Sequence, residues 1–343
     1  MSDLPPFAVS FQPALLPIVG RVRVPGSKSI TNRAILCAAM AHGTSRLTGV
    51  LDSEDTRVMV DAWISLGLAV QWDRANSTIV ITGCDGQPPI STGDLHIANS
   101  GTTIRFLTAA LAATHGEYVL DGVPRMRERP IGDLIDGLRE LGADIASLNN
   151  SQPNCPPVRI VARGLRGGVG SVAGDVSSQF LSGMMMASPY AASPVLIRVV
   201  GDLVSKPYVD MTLSVMHSFG VELKKRQQAT GLEYTIDSPQ MYVACDYNIE
   251  PDASAASYFL GIAAITGGSM RVEGLNMQAL QGDVHFAPHR GEGEDRRDRD
   301  GHAPPHRTAR AAFAHDLRQD AEGTPEARRD RSDPRGADHC EDA

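Results

Sequence analysis

The sequence predicts a mixed α/β fold, and the two observations behind this prediction are both repeats along the chain. A turn rich in Gly, Ser, Thr and Asp opens a helix of small apolar residues four times, at intervals of 72, 77 and 76 residues. The residues that mark these turns are Ser29, Gly101, Ser178 and Ser254. A second, amphipathic helix ends at Leu66-Gly67, Leu141-Gly142 and Phe219-Gly220. Self-similarity at a fixed spacing indicates a repeated supersecondary unit.

Each unit is predicted to run strand, helix, strand, helix, strand and strand. Short segments with alternating apolar residues follow the four first helices, at 45–50, 117–123, 195–200 and 269–274. The glycine after each second helix is typical of a helix C-terminus, and an apolar-alternating strand comes next. Because helices and strands are interleaved in this way, a mixed α/β architecture is expected.

The fourth unit breaks off before its second helix, which is expected at 284–295. Residues 287–343 contain 11 Arg and 14 Asp plus Glu but no Lys, Val, Ile, Met, Tyr or Trp. Such a segment cannot bury enough apolar area to offset the entropy of ordering, so we expect it to be disordered. The break inside a helix and the loss of Lys and β-branched residues indicate out-of-frame translation from about residue 287. The alternative is a natural polar extension.

Composition excludes several classes of protein. The chain has a formal net charge of −8, and the Arg-rich tail is itself net negative, so we expect no nucleic-acid partner. No apolar run reaches 18 residues and the N-terminus lacks the features of a secretory signal, so we expect no membrane partner. The five cysteines form no close pair and no metal-ligand spacing, which favours a reduced cytoplasmic protein.

The segment from Val24 to Arg33 predicts an anion site. Pro25 and Gly26 end a strand, and a small-residue helix follows, for which Ser29 or Thr31 is a candidate N-cap. Backbone amides at a helix N-terminus favour negative charge, and Lys28 and Arg33 would add two cations. The phosphate loop of nucleotide hydrolases is excluded, because that loop requires Gly immediately before Lys. The alternative is that both cations are ordinary solvated charges.

Several motifs together resemble the 5-enolpyruvylshikimate-3-phosphate synthase family. They are Pro-Gly-Ser-Lys-Ser-x-x-Asn-Arg at 25–33, Asn-Ser-Gly-Thr-Thr-x-Arg at 99–105, Pro-Arg-Met-Arg-Glu-Arg-Pro-Ile at 124–131, Ser-Ser-Gln-Phe-Leu-Ser at 177–182, Ser-Lys-Pro-Tyr-Val-Asp at 205–210 and Glu-Pro-Asp-Ala-Ser at 250–254. The resemblance extends from about residue 18 to residue 286. A sister family that uses a UDP-sugar carries Lys-Asn where this chain has Lys28-Ser29, which favours the shikimate family.

The resemblance implies roles for individual residues. Lys28 would be catalytic and would contact both substrates. The shikimate 3-phosphate contacts implied are Lys28, Ser29, Arg33, Ser177, Ser178, Gln179, Ser205 and Tyr208. The phosphoenolpyruvate contacts implied are Lys28, Asn99, Gly101, Arg125 and Gln179. Gly101 also has a physical reason, since a residue without Cβ lets the backbone approach a ligand closely. Arg105 and Arg129 lie in family motifs and fit a structural role equally well.

The resemblance also implies an architecture and an activity. A three-repeat domain would span 26–245, and 1–25 with 246–286 would form part of a second, incomplete domain, with 287–343 as the tail. The expected reaction transfers the enolpyruvyl group of phosphoenolpyruvate to the 5-hydroxyl of shikimate 3-phosphate, by a monomer without metal or organic cofactor. The family takes its acid, base and further phosphate ligands from motifs that this sequence lacks, so we expect the chain as written to be inactive. Alternatives are a non-catalytic phosphate-ligand-binding fragment and a relative of the UDP-sugar enzymes.

Overall fold

The structure, a computed structural model, describes residues 16–228, 231–276 and 278–286, which all belong to one compact unit. The predicted tail at 287–343 and most of the second helix expected at 284–295 lie outside the described residues. In the part of the chain that is described, no helix is both long and apolar enough to cross a membrane.

The predicted order of elements within a repeat is confirmed. The first repeat contains β1 (Val19–Val22), α1 (Lys28–Met40), β2 (Thr44–Thr48), α2 (Glu54–Ser65), β3 (Val70–Asp73) and β4 (Thr78–Thr82). The second contains β5 (Thr92–His96), α3 (Gly101–Ala112), β6 (His115–Asp121), α4 (Gly132–Glu140), β7 (Asp144–Ser147) and β8 (Val158–Arg163). The third contains β9 (Gly168–Ala173), α5 (Ser178–Ala187), β10 (Val195–Val200), α6 (Lys206–Ser218), β11 (Lys224–Gln228) and β12 (Gly231–Ile236). The fourth contains β13 (Asp246–Asn248), α7 (Ala253–Thr266), β14 (Ser269–Val272) and a 3₁₀ segment, Gly282–Phe286.

Three four-stranded sheets share one topology. Their strand orders are β13-β2-β4-β3, β5-β6-β8-β7 and β9-β10-β12-β11, in which the first pair is parallel and the next two are antiparallel. The first and fourth repeats exchange their first strands, because β13 pairs with β2 while β1 pairs with β14 in parallel, Val19 opposite Ser269. β13 therefore completes a sheet of the first repeat, just past the domain boundary expected at 245. The division into two domains stays a prediction.

The first helices of the repeats form the centre of the core. Nearly every residue is buried in α1, α3 and α5, at 11 of 13, 11 of 12 and 9 of 10 residues, so these helices are covered on almost all sides. Small residues let these helices approach closely: a Cβ on Gly183 of α5 would lie 3.3 Å from the Arg105 carbonyl oxygen of α3. The second helices α2, α4 and α6 cover this centre and keep a solvent-exposed face.

The helix ends follow the sequence signals with one exception. Gly67, Gly142 and Gly220 adopt φ of 93°, 98° and 82° directly after the second helices, which confirms their prediction as C-terminal glycines. The prediction that Ser29 or Thr31 caps α1 is wrong, because the helix begins at Lys28 and both residues lie inside it.

Candidate functional site

The N-termini of α1, α2 and α3 meet through three side chains. Lys28, the first residue of α1, places its ammonium nitrogen 3.6 Å from the Asp55 carboxylate at the start of α2. The other oxygen of that carboxylate accepts a 2.7 Å hydrogen bond from the hydroxyl of Ser100, the N-cap of α3. Ser100 also accepts a hydrogen bond from the Thr103 backbone N–H. One lysine, one carboxylate and three helix starts are therefore held together.

Gln179 joins the start of α5 to the first turns of α3. Its side-chain oxygen accepts a 2.6 Å hydrogen bond from Arg105, and its amide nitrogen donates to the Thr102 hydroxyl at 3.3 Å, both in α3. Ser177 caps α5 by accepting from the Gln179 backbone N–H. Arg105 also donates to the Pro130 carbonyl, and its burial lowers its pKa to about 10, so it stays charged at neutral pH. The predicted Gln179 is thus fixed in orientation before any ligand binds.

Arg33 lies between three helices of the core. Its guanidinium is buried and donates to Thr212 Oγ1 at 2.7 Å, to the Ser29 carbonyl at 2.8 Å, and to Ser182 Oγ and the Tyr208 carbonyl at 3.2 Å each. The cation also lies over the Phe106 ring, 5.2 Å from its centroid. Burial lowers the pKa of Arg33 to about 10. In this structure Arg33 connects α1, α5 and α6, and its role as a substrate contact stays a prediction.

Gly101 has Arg129 as its neighbour. A Cβ built on Gly101 would lie 2.6 Å from three guanidinium atoms of Arg129. The same guanidinium donates to the Asn99 carbonyl at 3.2 Å, next to the start of α3. The absence of a side chain at Gly101 therefore makes room for a cation beside the helix N-terminus, and its role in ligand approach stays a prediction. Arg125 is exposed and pairs with Glu128.

The starts of α5 and α6 are brought together by their preceding loops. The Val204 N–H donates to the Gly174 carbonyl at 3.0 Å, which joins the loop before Ser177 to the loop before Ser205. Ser205 adopts a left-handed conformation with φ of 55° and is the N-cap of α6, although its hydroxyl makes no capping bond. Ser178 is buried in the first turn of α5. The three predicted phosphate-binding serines therefore belong to two neighbouring helix starts.

A cavity of about 280 Å³ opens beside these helix starts. Ser29 and Tyr208 line it, together with groups from the fourth repeat that include Asp252, Ser254 and Asp283. Partial burial raises the pKa of the Tyr208 hydroxyl, and the Asp283 carboxylate acts in the same direction. The cavity therefore combines an apolar wall, from Pro207 and Met211, with two carboxylates contributed by the fourth repeat.

Asp252 was absent from the predicted site. As the N-cap of α7 it accepts from the Ala255 N–H at 2.8 Å with one oxygen, and its other oxygen lies 3.4 Å from the Lys28 backbone nitrogen. One carboxylate thus accepts hydrogen bonds at the N-termini of both α7 and α1. Asp55 was also missed. Both aspartates could have been identified from the sequence, because each is an acidic residue at a predicted helix start. The segments are Ser53-Glu54-Asp55 and Pro251-Asp252.

The arrangement suits a multiply charged anion. Helix N-termini present unpaired amides and positive partial charge, and Lys28, Arg125 and Arg129 add full charges at the same end of the helix bundle. Across the described ranges, no three His, Cys, Asp or Glu are arranged to hold a metal ion. What the residues present is a set of amides, hydroxyls and cations that can bind phosphate and carboxylate groups directly.

Comparison with known proteins agrees with this chemistry. The sequence pattern of the family described as "EPSP synthase (3-phosphoshikimate 1-carboxyvinyltransferase)" matches residues 14–293. A protein of Photobacterium profundum named 3-phosphoshikimate 1-carboxyvinyltransferase is 47% identical over 272 residues, which cover 79% of this chain and 62% of the relative. A protein with the same name from Vibrio vulnificus is 47% identical over 271 residues, with 78% and 62% covered.

A solved structure gives the same result for the fold. The EPSP synthase of Acinetobacter baumannii superposes with a TM-score of 0.67 at 25% sequence identity, over 77% of this chain and 57% of that one. The chain thus spans somewhat less than two thirds of the length of the curated relatives it matches.

Proposed function

The chain belongs to the EPSP synthase family, and on that premise we propose that its site serves the transfer of the enolpyruvyl group from phosphoenolpyruvate to the 5-hydroxyl of shikimate 3-phosphate. The observation that carries the proposal is the position of Lys28, at the meeting point of three helix N-termini and beside Asp55. Both substrates are anions, and this is where cations and free amides converge. The four described cysteines are free, which supports the cytoplasmic location that we propose.

Shikimate 3-phosphate is proposed to bind through hydroxyls and amides of two neighbouring helix starts. Ser177 and Ser178 at α5 and Ser205 at α6 would hold the phosphate, because their loops are joined by the Val204–Gly174 hydrogen bond. Ser29 and Tyr208 line the adjoining cavity and would contact the ring. Arg33 would act on the ring contacts indirectly. Its guanidinium donates hydrogen bonds to the Ser29 and Tyr208 carbonyls and so would fix the positions of these two residues.

Phosphoenolpyruvate is proposed to bind beside the start of α3. Lys28 and Arg125 would supply charge to its phosphate and carboxylate, and the backbone at Asn99 and Gly101 would supply amides. Gln179, already oriented by Arg105 and Thr102, lies between the two proposed substrate positions. An amide held in this way can hydrogen-bond both ligands without a further cost in ordering.

The proposed chemistry is an addition followed by an elimination. C3 of phosphoenolpyruvate takes a proton, the 5-hydroxyl oxygen bonds to C2 and loses its proton, and the C2–O bond to phosphate then breaks as a proton leaves C3. Negative charge grows on the departing phosphate. The Lys28 ammonium is the cation that we propose stabilises it, and removal of one such preorganised donor costs roughly 10²–10³ in rate in other enzymes.

The experiment measures binding and turnover separately. Titration calorimetry with shikimate 3-phosphate should show binding that weakens at least tenfold in Lys28→Ala, while Lys224→Ala, an exposed lysine paired with Asp237, serves as the matched control. Phosphate release with both substrates tests the reaction. If Lys28→Ala binds shikimate 3-phosphate as tightly as the wild type does, the proposal is contradicted. Turnover with a UDP-sugar as acceptor would instead favour the sister reaction.

A second candidate is a phosphate-ligand-binding protein without turnover. It is favoured by one observation: every helix start proposed to hold shikimate 3-phosphate lies within 28–218, whereas the chain covers only 62% of its relatives. Tight, Lys28-dependent binding of shikimate 3-phosphate without phosphate release would support this candidate over the enzyme.

A further inference from the structure

Two arginines of the candidate site, Arg125 and Arg129, belong to one short segment, residues 124–130, which we call the arginine segment. Its regular structure is a single turn of 3₁₀ helix, Met126–Glu128. The N–H groups of Arg127 and Arg129 donate to carbonyls three residues earlier, both at 3.1 Å. Because 3₁₀ turns have poor hydrogen-bond geometry, so short a turn is weakly held by its own bonds. The positions of both arginines therefore depend on contacts from outside the segment.

Arg127, between these two arginines, is the point at which the segment is anchored. Its guanidinium donates two hydrogen bonds to the carboxylate of Asp121, the last residue of β6. Its carbonyl accepts a 2.9 Å hydrogen bond from the side-chain nitrogen of Asn149, which lies in the β7–β8 loop at 148–157. Arg127 is therefore tied to β6 through its side chain and to the β7–β8 loop through its backbone.

The Asn149 amide uses its full hydrogen-bonding capacity. Its nitrogen donates to the carbonyls of Arg127 and Pro156, both at 2.9 Å. Its oxygen accepts from the N–H groups of Ser151 at 3.2 Å and Gln152 at 2.9 Å. A primary amide has two N–H donors and two acceptor lone pairs, so all four are occupied. This amide therefore fixes the fold of its own loop and, through one N–H, ties that loop to the arginine segment.

The same loop also holds the end of the arginine segment. The Asn154 carbonyl accepts a 2.8 Å hydrogen bond from the N–H of Ile131, which directly follows the segment and is the N-cap of α4. The loop packs closely here, since a Cβ on Gly132 would lie 2.7 Å from the Asn154 Cβ. The β7–β8 loop thus contacts the arginine segment at its middle and at its end.

We propose that Asn149 is a positioning residue for Arg125 and Arg129. The proposal rests on the proposed function, in which phosphoenolpyruvate binds beside the start of α3. By holding the Arg127 carbonyl, Asn149 fixes the backbone from which both arginines extend, so less freedom is lost when their guanidinium groups bind a phosphate or carboxylate. Small displacements of such groups are costly, because binding and reaction depend on their geometry. Asn149 acts through this backbone contact and has no free group for the ligand.

Substitutions at Asn149 separate this role from a role confined to the loop. In Asn149→Asp the carboxylate still accepts from the Ser151 and Gln152 N–H groups, but it has no N–H to donate to the Arg127 carbonyl. Asn149→Ala removes all four hydrogen bonds without adding a charge. Asn150→Asp is the matched control, because it adds the same charge at the exposed neighbouring residue and leaves these four bonds in place.

Titration calorimetry of the full chain measures the effect on each substrate. Phosphoenolpyruvate is titrated with and without bound shikimate 3-phosphate. Asn149→Asp and Asn149→Ala should weaken its binding by roughly tenfold, whereas Asn150→Asp should leave it unchanged. Shikimate 3-phosphate should bind every variant as tightly as the wild type, because its proposed contacts lie outside the arginine segment. Hydrogen exchange of the Arg127 and Arg129 N–H groups should be faster in Asn149→Asp, while that of α3 should stay the same.

Failure of this proposal can be told from failure of the proposed function. If the wild type binds phosphoenolpyruvate and Asn149→Asp binds it as tightly, the positioning role is overturned and the proposed function stands. The role is also overturned if Asn150→Asp loses as much affinity, since the cause is then the added charge, or if both substrates lose affinity equally, since the cause is then a general loss of structure. A wild type that binds shikimate 3-phosphate but no phosphoenolpyruvate would contradict the proposed phosphoenolpyruvate position, and the role of Asn149 with it.

Discussion

Arg33 Nε in α1 donates a 2.7 Å hydrogen bond to Thr212 Oγ1 in α6, and both side chains are buried. The rest of the guanidinium is satisfied by Ser182 and by the carbonyls of Ser29 and Tyr208. This single cation therefore holds α1, α5 and α6 at a fixed distance, directly behind the surface that we propose binds shikimate 3-phosphate.

The first prediction concerns stability. Arg33→Met removes the hydrogen bonds that link α1 to α5 and α6, while Thr212 Oγ1 can still donate to Ser182 Oγ or to the Tyr208 carbonyl, so the free energy of unfolding should fall by about 1–3 kcal/mol. Urea unfolding at pH 7 measures it. Arg198→Met, which removes an exposed arginine paired with Glu233, is the control and should change stability by less than about 1 kcal/mol. Equal stability of Arg33→Met and wild type would show that Arg33 does not hold these helices together.

The second prediction concerns Gly101 and Arg129, whose guanidinium would lie 2.6 Å from an added Cβ. Gly101→Ala should displace that guanidinium and break its hydrogen bond to the Asn99 carbonyl, at a cost below about 1 kcal/mol because the site is partly exposed. In an Arg129→Ala background the same substitution should be neutral or stabilising, since Ala has the higher helix propensity. A double-mutant cycle should therefore give a coupling of about 0.5–1.5 kcal/mol, and strict additivity would contradict the contact.

The third prediction concerns alkaline pH. Burial raises the pKa of the Cys37 thiol from 9.0 to about 12. A raised pKa means that the native state keeps a proton which the unfolded chain releases above pH 9, so this stabilisation is complete below pH 9 and is lost as the pH rises towards 12. The loss is on the order of 1 kcal/mol per pH unit in that window.

Urea unfolding at pH 8, 9 and 10 should show this loss, and Cys37→Ala should reduce it. The remainder is expected from Cys84, Cys155 and Cys245, because burial raises the pKa of each of these thiols as well. The comparison stops at pH 10 because burial also raises the pKa values of Tyr190 and Tyr242 well above their usual range, which adds to the loss at higher pH. A variant that loses stability with pH as steeply as the wild type would contradict the assignment to Cys37.

The repeats made the order of elements predictable, whereas local signals did not indicate which sheets β1 and β13 join; only the resemblance grouped 1–25 with 246–286. Spacing and helix-terminal glycines identified the order of elements, because these signals are local. The exchange of β1 and β13 between the first and fourth repeats depends on contacts between residues far apart in the sequence, such as Val19 with Ser269. The strand patterns of the two partners are equally compatible with either sheet, so no local signal distinguishes them.

The candidate site was predictable where a motif fixes a position along the chain. Lys28, Ser177 and Ser205 occur at helix starts, as their motifs indicate. The partners of these residues were not predictable, since Asp55 and Asp252 reach α1 only through tertiary packing. The burial of Arg33 was not predictable for the same reason, since its four acceptors are brought together by the packing of α1, α5 and α6.

The carboxylates of Asp55 and Asp252 are built-in counter-ions of the candidate site. One lies beside the Lys28 ammonium and the other accepts from the Lys28 backbone N–H, so an incoming anion must exchange with a fixed negative charge and not merely with water. The exchange is unfavourable for a small monoanion such as chloride, which brings no more charge than it displaces. A ligand that carries several charges gains more, so we expect the proposed site to select ligands by their charge as well as by their shape.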